Sequence, residues 1–493
     1  MQRNPIVGSN NFDEVMGDKG AYRAILASDS IGAYAEVVLS ATSVTDNGDG
    51  TGTVVVPSGH GSSDGQPVRI GAAPKPYMNS LDATIASVVN STTFTYKFTR
   101  RTHAVTSTST PSVAFPLRRS SRGFLTAAET LLGYQFATTW CAVGGATAAQ
   151  INDVVNDSDA GPYFVGFLCA GMNNIYSAAQ SYSTVIGELN DLADTLKKRC
   201  QYLVILSIPP RDSGGGAWSA EKQSVHDKVN LWLYEYSRAN GCIFINTWRS
   251  SNSGATYVNG AATNPDPNAA MTIDGTHPSM TGAYAIGQDI NAELAPLLGM
   301  AAYSAAHPNM IGANAYNIFT DSDFSTGATV ATSWVNSDTT ALMNVTPTME
   351  SRTFASHGDS CGRNQVLTTN YGTATGTAST RFRRNNFQAL LTPGQTLQGF
   401  VPFSASGMTG VVGLEFVIFG IINGSTFWNV QANGQDSNVD NMSGTLSGVL
   451  ITPPVTIPSG LTDVDCWVKV SLSSTQSADT VVKVWHPVLR MTA

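Results

Sequence analysis

Residues 22–27, YRAILA, form the stretch that decides the fold, and they continue into Ser28-Asp29-Ser30-Ile31-Gly32. The largely apolar run predicts a buried strand of the kind found in parallel sheets. The polar residues that follow place Ser30 just beyond the strand end. Far along the chain stands Asp274-Gly275-Thr276-His277-Pro278. The chain therefore combines a serine at a strand end with a distant histidine whose own loop carries a carboxylate.

Strand and helix patterns alternate in the middle of the chain. Such alternation predicts a parallel sheet that helices cover on both faces. We expect a flavodoxin-like three-layer α/β domain, built from residues 1–36 and 117–302. Sheets of this type carry their functional groups at the carboxyl ends of the strands. The predicted strands are 136–143, 163–170, 202–208 and 242–246, and the predicted helices are 123–132, about 147–156, 177–199, 220–239 and 281–298.

Two further segments have the pattern of all-β structure. In residues 37–116, apolar runs at 38–44 and 53–57 flank Asp46-Asn47-Gly48-Asp49-Gly50, which predicts a hairpin turn. We expect a small β insertion over this segment. Residues 303–493 carry several strand-like runs from 401 to 490 without a convincing helix between them. They predict a C-terminal β-sandwich of the jelly-roll type, which is similar to carbohydrate-binding modules.

Composition excludes several classes of protein. The net charge is −8 and no basic stripe is present, which argues against a nucleic-acid partner. Hydrophobic residues make up 42% of the 493 residues, so the chain is not disordered. No apolar stretch reaches the length of a membrane span, and no signal peptide is visible after Met1. We expect no membrane insertion and an extracellular or virion location.

The cysteines favour buried free thiols over a metal or redox motif. The chain has six cysteines, and none of them stands in a C-x-x-C pair. Several fall in apolar runs, where small buried thiols are common. Cys361 with Cys466 is the pair to examine for a disulfide. We expect no metal and no cofactor.

Residue types with complementary chemistry follow the predicted strands. A serine hydroxyl becomes a nucleophile when a base takes its proton, and His277 is the candidate base. Asp274, three residues earlier, would hold the imidazole in the required tautomer. An oxyanion would need donors, and the backbone N–H groups of Ser30 and Gly145 and the side-chain amide of Asn173 are candidates.

These residues stand in four blocks that resemble the SGNH hydrolases, also called the GDSL esterase/lipase family. The resemblance covers about residues 21–36 and 121–300. It implies a metal-free ester hydrolase with Ser30, Asp274 and His277 as catalytic residues. Ser28 replaces the usual glycine of the first block, and Asn174 replaces an aspartate that often follows the oxyanion asparagine. The blocks are Ser28-Asp29-Ser30-Ile31, Val143-Gly144-Gly145-Ala146-Thr147, Gly171-Met172-Asn173-Asn174 and Asp274-x-x-His277.

Each block taken alone has a purely structural interpretation. Ser-Asp-Ser after a strand is usually a turn or a helix cap, and either asparagine of the third block could cap a helix. The acidic turns at 46–49 and 321–323 do not fit an EF-hand spacing and are better explained as turns. Trp428, Trp467 and Trp485 could stack on sugars, although aromatic residues in strands more often belong to the core. The order and spacing of the four blocks together favour catalysis.

The position of the β insertion suggests a class of substrate. It begins a few residues after Ser30, so it would form a wall of the cleft or an oligomer contact. Its polar character favours an acetylated sugar over a lipid. With the C-terminal region it is loosely similar to phage tail proteins, which suggests a tailspike esterase that removes O-acetyl groups from a bacterial polysaccharide and forms a homo-oligomer such as a trimer. The alternatives are a secreted xylan acetyl esterase, a general lipase or esterase, and a receptor-binding protein without catalysis.

Overall fold

The computed structural model describes residues 22–97, 111–158, 161–211, 218–247, 270–298, 318–319, 324, 327–337, 339–353, 360–434, 444–476 and 478–492. The predicted acidic turn at 321–323 lies outside these residues. The helices are α1 (Ser30–Ala33), α2 (Phe124–Leu132), α3 (Ala148–Asp157), α4 (Met172–Tyr176), α5 (Tyr182–Lys197), α6 (Ala220–Asn240) and α7 (Met280–Leu298). The strands are β1 (Arg23–Ser28), β2 (Glu36–Ser40), β3 (Ser43–Asp46), β4 (Thr51–Val55), β5 (Pro67–Gly71), β6 (Ser80–Asn90), β7 (Thr93–Lys97), β8 (Ser112–Ser120), β9 (Ala137–Ala142), β10 (Tyr163–Cys169), β11 (Cys200–Leu206), β12 (Ile243–Ile245), β13 (Val335–Ser337), β14 (Asn344–Thr353), β15 (Ser360–Asn370), β16 (Ala378–Arg384), β17 (Thr396–Ser406), β18 (Val411–Ile422), β19 (Ser425–Gly434), β20 (Leu446–Ile451), β21 (Val455–Thr456), β22 (Leu461–Leu472), β23 (Thr480–Val484) and β24 (Val488–Thr492).

The opening stretch forms an inner strand of a parallel sheet. The strand order is β12-β11-β10-β1-β9, so β1 lies between β9 and β10. From Ala24 to Ser28 every residue of β1 is buried, as expected for a strand covered on both faces. This is the doubly wound order of flavodoxin-like sheets, in which the chain reverses direction across the sheet beside the first strand. The predicted mixed α/β architecture is confirmed.

The helices pack in two groups, α2 against α7 and α3 against α5, with α6 beside α5. The predicted helix over 177–199 is wrong at its start. The helix begins later, as α5 at Tyr182, because the Ser181 side chain caps it by accepting a hydrogen bond from the Thr184 N–H. Among the described residues, no helix combines the length and apolar character needed to cross a membrane.

The β insertion forms a sheet of antiparallel strands around its own small apolar core. The predicted turn at 46–50 joins β3 to β4, which pair antiparallel. Asp46 Oδ1 accepts from the Gly48 N–H at 2.8 Å, and Asp49 Oδ1 accepts from the Thr51 N–H at 2.9 Å. Both carboxylates therefore act as turn-forming side chains. Strands β5, β6 and β8 were not predicted individually.

Hydrogen bonding joins the insertion to the C-terminal region. Strand β8 begins in the insertion and runs past its predicted end at 116, where it pairs in parallel with β19, with Gln431 opposite Arg118 and Gly434 opposite Ser120. One twelve-stranded sheet therefore contains strands from both segments. Sequence patterns cannot reveal this pairing, because the two strands lie far apart in the chain. The domain boundaries at 36, 116 and 302 stay predictions.

The C-terminal region is all-β in its described residues. Strands β13, β16, β22, β18 and β19 face a seven-stranded sheet that contains β14, β15, β23, β17 and β20. Phe416 of the first sheet and Phe403 of the second belong to one apolar core. Trp428 and Trp467 are buried, which agrees with a core role for both. Strands β13 to β16 were missed by the sequence analysis, and a jelly-roll topology stays a prediction.

The cysteines described by the structure carry free thiols. They are Cys141, Cys169, Cys200, Cys242 and Cys466. Cys466 is buried, and burial raises the pKa of its thiol. Cys361 lies on β15 outside the residues whose side chains are described, so the suggested bridge between Cys361 and Cys466 gains no support.

Candidate active site

Ser30 is the first residue of helix α1, directly after β1. Asp29 caps this helix, because its Oδ1 accepts a hydrogen bond from the Ile31 N–H at 3.0 Å. The backbone N–H groups at a helix start have no partner inside the helix. The Ser30 N–H therefore has no partner inside helix α1, and its role as an oxyanion donor stays a prediction.

Ser28, which stands where the family usually has glycine, supports the turn that presents Ser30. Its hydroxyl donates to the Cys169 carbonyl at 2.7 Å and accepts from the Gly32 N–H at 3.0 Å. The Asp29 N–H donates to the same carbonyl at 3.2 Å. This serine ties the end of β1 to the end of β10 and to helix α1. The departure from the family pattern therefore leaves the nucleophile position intact.

A compact loop holds Asp274 and His277 in register. Asp274 Oδ1 accepts from the N–H groups of Thr276 at 3.0 Å and His277 at 2.8 Å. The Thr272–Pro278 bridge closes the base of the loop. The two residues therefore belong to one tight turn. One oxygen of the Asp274 carboxylate accepts from the backbone of the turn, and the other faces the imidazole.

The structure brings Ser30, His277 and Asp274 into one hydrogen-bonded chain. His277 Nδ1 lies 2.6 Å from Asp274 Oδ2, and His277 Nε2 lies 2.9 Å from Ser30 Oγ. When Nδ1 carries the proton and donates it to the carboxylate, Nε2 accepts from the serine hydroxyl. These are the relationships that activation of a serine requires.

The Asp274 carboxylate is ionised in this arrangement. Partial burial opposes its charge, but the hydrogen bond from His277, the charge of the imidazole and the two backbone N–H groups outweigh that effect. The pKa of Asp274 therefore lies well below its ordinary value. Its side chain is 47% exposed, whereas that of His277 is 19% exposed. The triad lies open to solvent on this side.

The second and third blocks meet beside the nucleophile. A Cβ placed on Gly144 would lie 3.9 Å from the Ser30 Cβ, so this loop passes close to the serine. Gly145 has φ of +79°, a conformation that favours glycine. Asn173 Nδ2 donates to the Ala146 carbonyl at 3.2 Å, which links the two blocks. A side-chain amide has two N–H groups, so one remains for a substrate oxygen.

Asn174, the second departure from the family pattern, has a structural role. It is completely buried, and its Oδ1 accepts from the Ala148 N–H at 2.9 Å at the start of α3. Its Nδ2 donates to Gln180 at 2.7 Å and to Glu188 at 2.6 Å. The Asn174 side chain therefore anchors the end of the oxyanion loop. It caps α3, which precedes it in the chain, and not a helix that follows it.

Asp29 has an electrostatic role that the sequence analysis missed. It is completely buried, and this burial raises its pKa to about 6. The N–H of Ile31, the charge of His277 and the N–H of Met172 act in the opposite direction. The charge of His277 therefore acts on a second carboxyl group, which lies at the nucleophile turn. The position of Asp29 in the first block could have drawn attention to this residue, but nothing in the sequence indicates that it is buried.

Arg122 and Tyr34 support the histidine loop and were also missed. The Tyr34 ring packs edge-on against His277, with 4.8 Å between ring centroids. The buried Arg122 guanidinium lies over that ring, 4.4 Å from its centroid, and its Nε donates to the Pro278 carbonyl at 3.4 Å. These contacts fix the position of the base. No local pattern distinguishes this arginine from a surface one.

A cleft of about 640 Å³, including its open mouth, begins at Ser30 and is called here the Ser30 cleft. The catalytic sheet and the β insertion both contribute to its walls. The insertion is therefore a wall of the cleft, one of the two roles expected for it. The lining residues are Ser30, Ala33, Tyr34, Val38, Arg69, Ile70, Gly71, Asn79, Leu81, Ser112, Ala114, Trp140, Ala142, Val143 and Gly144.

No protein-family model matches the chain, and no curated protein matches it in sequence. Among the described residues, no group of three or more His, Cys, Asp or Glu side chains could hold a metal ion.

Solved structures similar to this chain include GDSL-family hydrolases. A GDSL-like lipase from Bacteroides thetaiotaomicron is 20% identical, with 32% of this chain and 76% of that chain covered and a TM-score of 0.28. A member of the lipolytic G-D-S-L family from Veillonella parvula is 13% identical, with coverages of 35% and 87% and a TM-score of 0.27. A structure of carbohydrate-binding modules of the β-sandwich superfamily is 11% identical, with coverages of 37% and 63% and a TM-score of 0.24.

Several of the similar solved structures carry the name of the GDSL family, which the four sequence blocks led us to expect. TM-scores of this size establish nothing about activity, so the functional argument rests on the geometry of the site.

Proposed function

We propose that the protein is a serine esterase that hydrolyses carboxylic esters. The observation that carries this proposal is the chain of hydrogen bonds from Ser30 through His277 to Asp274, at the carboxyl ends of parallel strands. Loops at such strand ends are the usual location of active sites in sheets of this type. Serine, histidine and aspartate in this order of contacts are suited to acyl transfer.

In the acylation step, Ser30 Oγ attacks the ester carbonyl while His277 Nε2 takes the hydroxyl proton. The carbonyl oxygen becomes an oxyanion, which accepts from the N–H groups of Ser30 and Gly145 and from the Asn173 amide. When the tetrahedral intermediate collapses, the bond to the alcohol oxygen breaks. His277 gives its proton to that oxygen, and the acyl group remains on Ser30.

In the deacylation step, His277 takes a proton from water, and the resulting hydroxide attacks the acyl carbonyl. Collapse of the second intermediate breaks the bond to Ser30 Oγ, which receives the proton back from His277. Both steps pass through an imidazolium ion. Asp274 stabilises this ion by a direct hydrogen bond, and the ionised Asp29 adds a second negative charge at neutral pH.

We further propose an O-acetylated polysaccharide as the substrate and a phage tailspike-type role for the protein, in a homo-oligomer such as a trimer. The exposure of Asp274 supports a large alcohol, because the alcohol must leave past His277 at this open side. In the part of the β insertion that the structure describes, no amphipathic helix of the kind that covers a lipase site is present.

Hydrolysis of 4-nitrophenyl acetate by the wild type and by Ser30→Ala tests the esterase proposal. We expect activity in the wild type and its loss in Ser30→Ala with an unchanged circular dichroism spectrum. Equal rates for the two proteins would contradict it, and absence of hydrolysis in both would favour a binding protein. Mass spectrometry of O-acetylated polysaccharides before and after treatment tests the substrate, since each removed acetyl group lowers the mass by a fixed amount.

A further inference from the structure

We propose that the Ser30 cleft binds the acyl group of the ester and limits its length, while the alcohol remains outside. This inference rests on the proposed esterase function. It assigns a task to the β insertion: the selection of acyl chains.

The residues that line the cleft can hold an acyl group. Ser30, which would carry the acyl group, and Gly144 of the oxyanion loop both belong to this lining. The insertion contributes Leu81 on β6 and Ala114 on β8 to the same lining. An acyl chain attached to Ser30 therefore shares the cleft with side chains of the insertion.

Two polar side chains that line the cleft, Arg69 and Asn79, already have partners. Arg69 forms an ion pair with Glu36 at 2.8 Å, donates to the Leu81 carbonyl and lies over the Trp140 ring at 5.1 Å. Asn79 Oδ1 accepts from the Ala73 N–H at 2.8 Å. A sugar ring would need hydrogen bonds in exchange for those it makes with water, whereas an acyl chain gains from contact with apolar side chains alone.

Proton transfer from His277 distinguishes the alcohol side of the ester from the acyl side. His277 must reach the alcohol oxygen to protonate it, so the alcohol lies at the histidine. Among the residues the structure describes, the lining of the cleft includes neither His277 nor Asp274. The alcohol therefore leaves through the exposed histidine side, and the cleft is left for the acyl group.

The apolar lining predicts that acyl groups longer than acetyl are accepted as well. Besides Ser30, the lining carries Leu81 and Ala114 of the insertion, against which added methylenes can pack. We expect acetyl, butyryl and hexanoyl esters all to be hydrolysed. Contact of the added methylenes with Leu81 and Ala114 would keep such esters as substrates, beside the acetyl esters proposed above, up to the limit of the wall.

A matrix of esters tests this assignment. The acyl group is varied from acetyl to hexanoyl and the alcohol from methanol to 4-nitrophenol. In Ala114→Phe, which fills the cleft, we expect kcat/KM for hexanoyl esters to fall about tenfold or more relative to acetyl esters, whatever the alcohol. In Leu81→Ala, which widens it, the optimum should move to longer acyl chains. Val89→Phe is the matched control, because Val89 lies on the same insertion and is 61% exposed.

A selectivity change that follows the alcohol and not the acyl chain would overturn the proposal. Binding of sodium hexanoate to Ser30→Ala, measured by calorimetry, gives a readout that needs no turnover. We expect binding to be lost in Ser30→Ala/Ala114→Phe and kept in Ser30→Ala/Val89→Phe. No hexanoate binding to Ser30→Ala would also overturn the proposal. If hexanoate binds but no ester is hydrolysed, the esterase proposal fails, and the cleft is left as a site that binds acyl chains.

Discussion

The side chain of Ser28 occupies the space that any side chain at position 32 would need. A Cβ on Gly32 would collide with the Oγ and Cβ of Ser28, and the Gly32 N–H donates to that same Oγ at 3.0 Å. The two residues form one unit at the nucleophile turn. A serine in the first block is compatible with this fold because a glycine stands one helical turn later.

Gly32→Ala should therefore disturb the position of Ser30. We expect a loss of about 1–3 kcal/mol in the free energy of unfolding, together with reduced kcat. Ser28→Gly/Gly32→Ala should recover most of both, because the obstructing hydroxyl is gone. Urea denaturation and ester hydrolysis measure the two effects. Gly187→Ala is the control, since its Cβ would meet no atom within 4 Å. A double variant no better than Gly32→Ala would contradict the coupling.

Asp274→Asn should lower kcat by about ten-thousand-fold with little change in the fold. The amide keeps the shape of the side chain but no longer selects the imidazole tautomer with a free Nε2. It also removes the charge that stabilises the imidazolium ion. Steady-state kinetics on an aryl acetate measure the loss, and circular dichroism checks the fold. A kcat within tenfold of the wild type would argue against His277 as the base.

The neighbouring asparagines should behave differently when each is changed to alanine. Asn173→Ala removes an oxyanion donor, so we expect kcat to fall by about a hundredfold to a thousandfold with nearly unchanged stability. Asn174→Ala leaves the N–H of the buried Ala148 without its acceptor and removes a hydrogen bond to Glu188, so we expect about 1–3 kcal/mol of lost stability. Kinetics and thermal unfolding of both variants measure the contrast. If Asn173→Ala lost stability and Asn174→Ala lost activity instead, the roles of the two asparagines would have to be exchanged.

Asp29→Asn should change how stability depends on pH. The pKa of Asp29 in the folded protein, about 6, lies above its ordinary value of 3.8, so the folded state holds the proton more tightly. The wild type should therefore lose stability as pH rises from about 4 to about 6, by up to about 3 kcal/mol, and then level off. This contribution should be missing in Asp29→Asn. Urea denaturation at several pH values measures the free energy of unfolding of both proteins. The same dependence on pH in the wild type and in Asp29→Asn would contradict this prediction.

Much of the α/β architecture could be predicted from local patterns. Apolar runs located β1, β9, β10 and β11 to within a few residues, because a strand buried on both faces must be apolar along its length. Strands β13 to β16 were missed, since Thr- and Asn-rich strands with one exposed face carry a weaker signal. The pairing of β8 with β19 was beyond reach, because it depends on contacts between distant segments.

The candidate site shows the same division. Ser30, Gly145, Asn173 and the Asp274–His277 loop were chosen from residue types and order alone. Asp29, Tyr34 and Arg122 were not recognised, because their roles come from burial and from neighbours across the fold. Chemistry that depends on a residue type at a strand end is visible in the sequence, whereas electrostatic and packing support is not.

The sequence by itself determined the alternation of strands and helices and the placement of reactive side chains in the loops that follow them. Tertiary structure decided that Ser30 and His277, 247 residues apart, stand 2.9 Å from each other. It also decided that the β insertion closes one side of the Ser30 cleft. The physical reason is that hydrophobic periodicity acts over a few residues, while a site is assembled by packing that brings distant segments together.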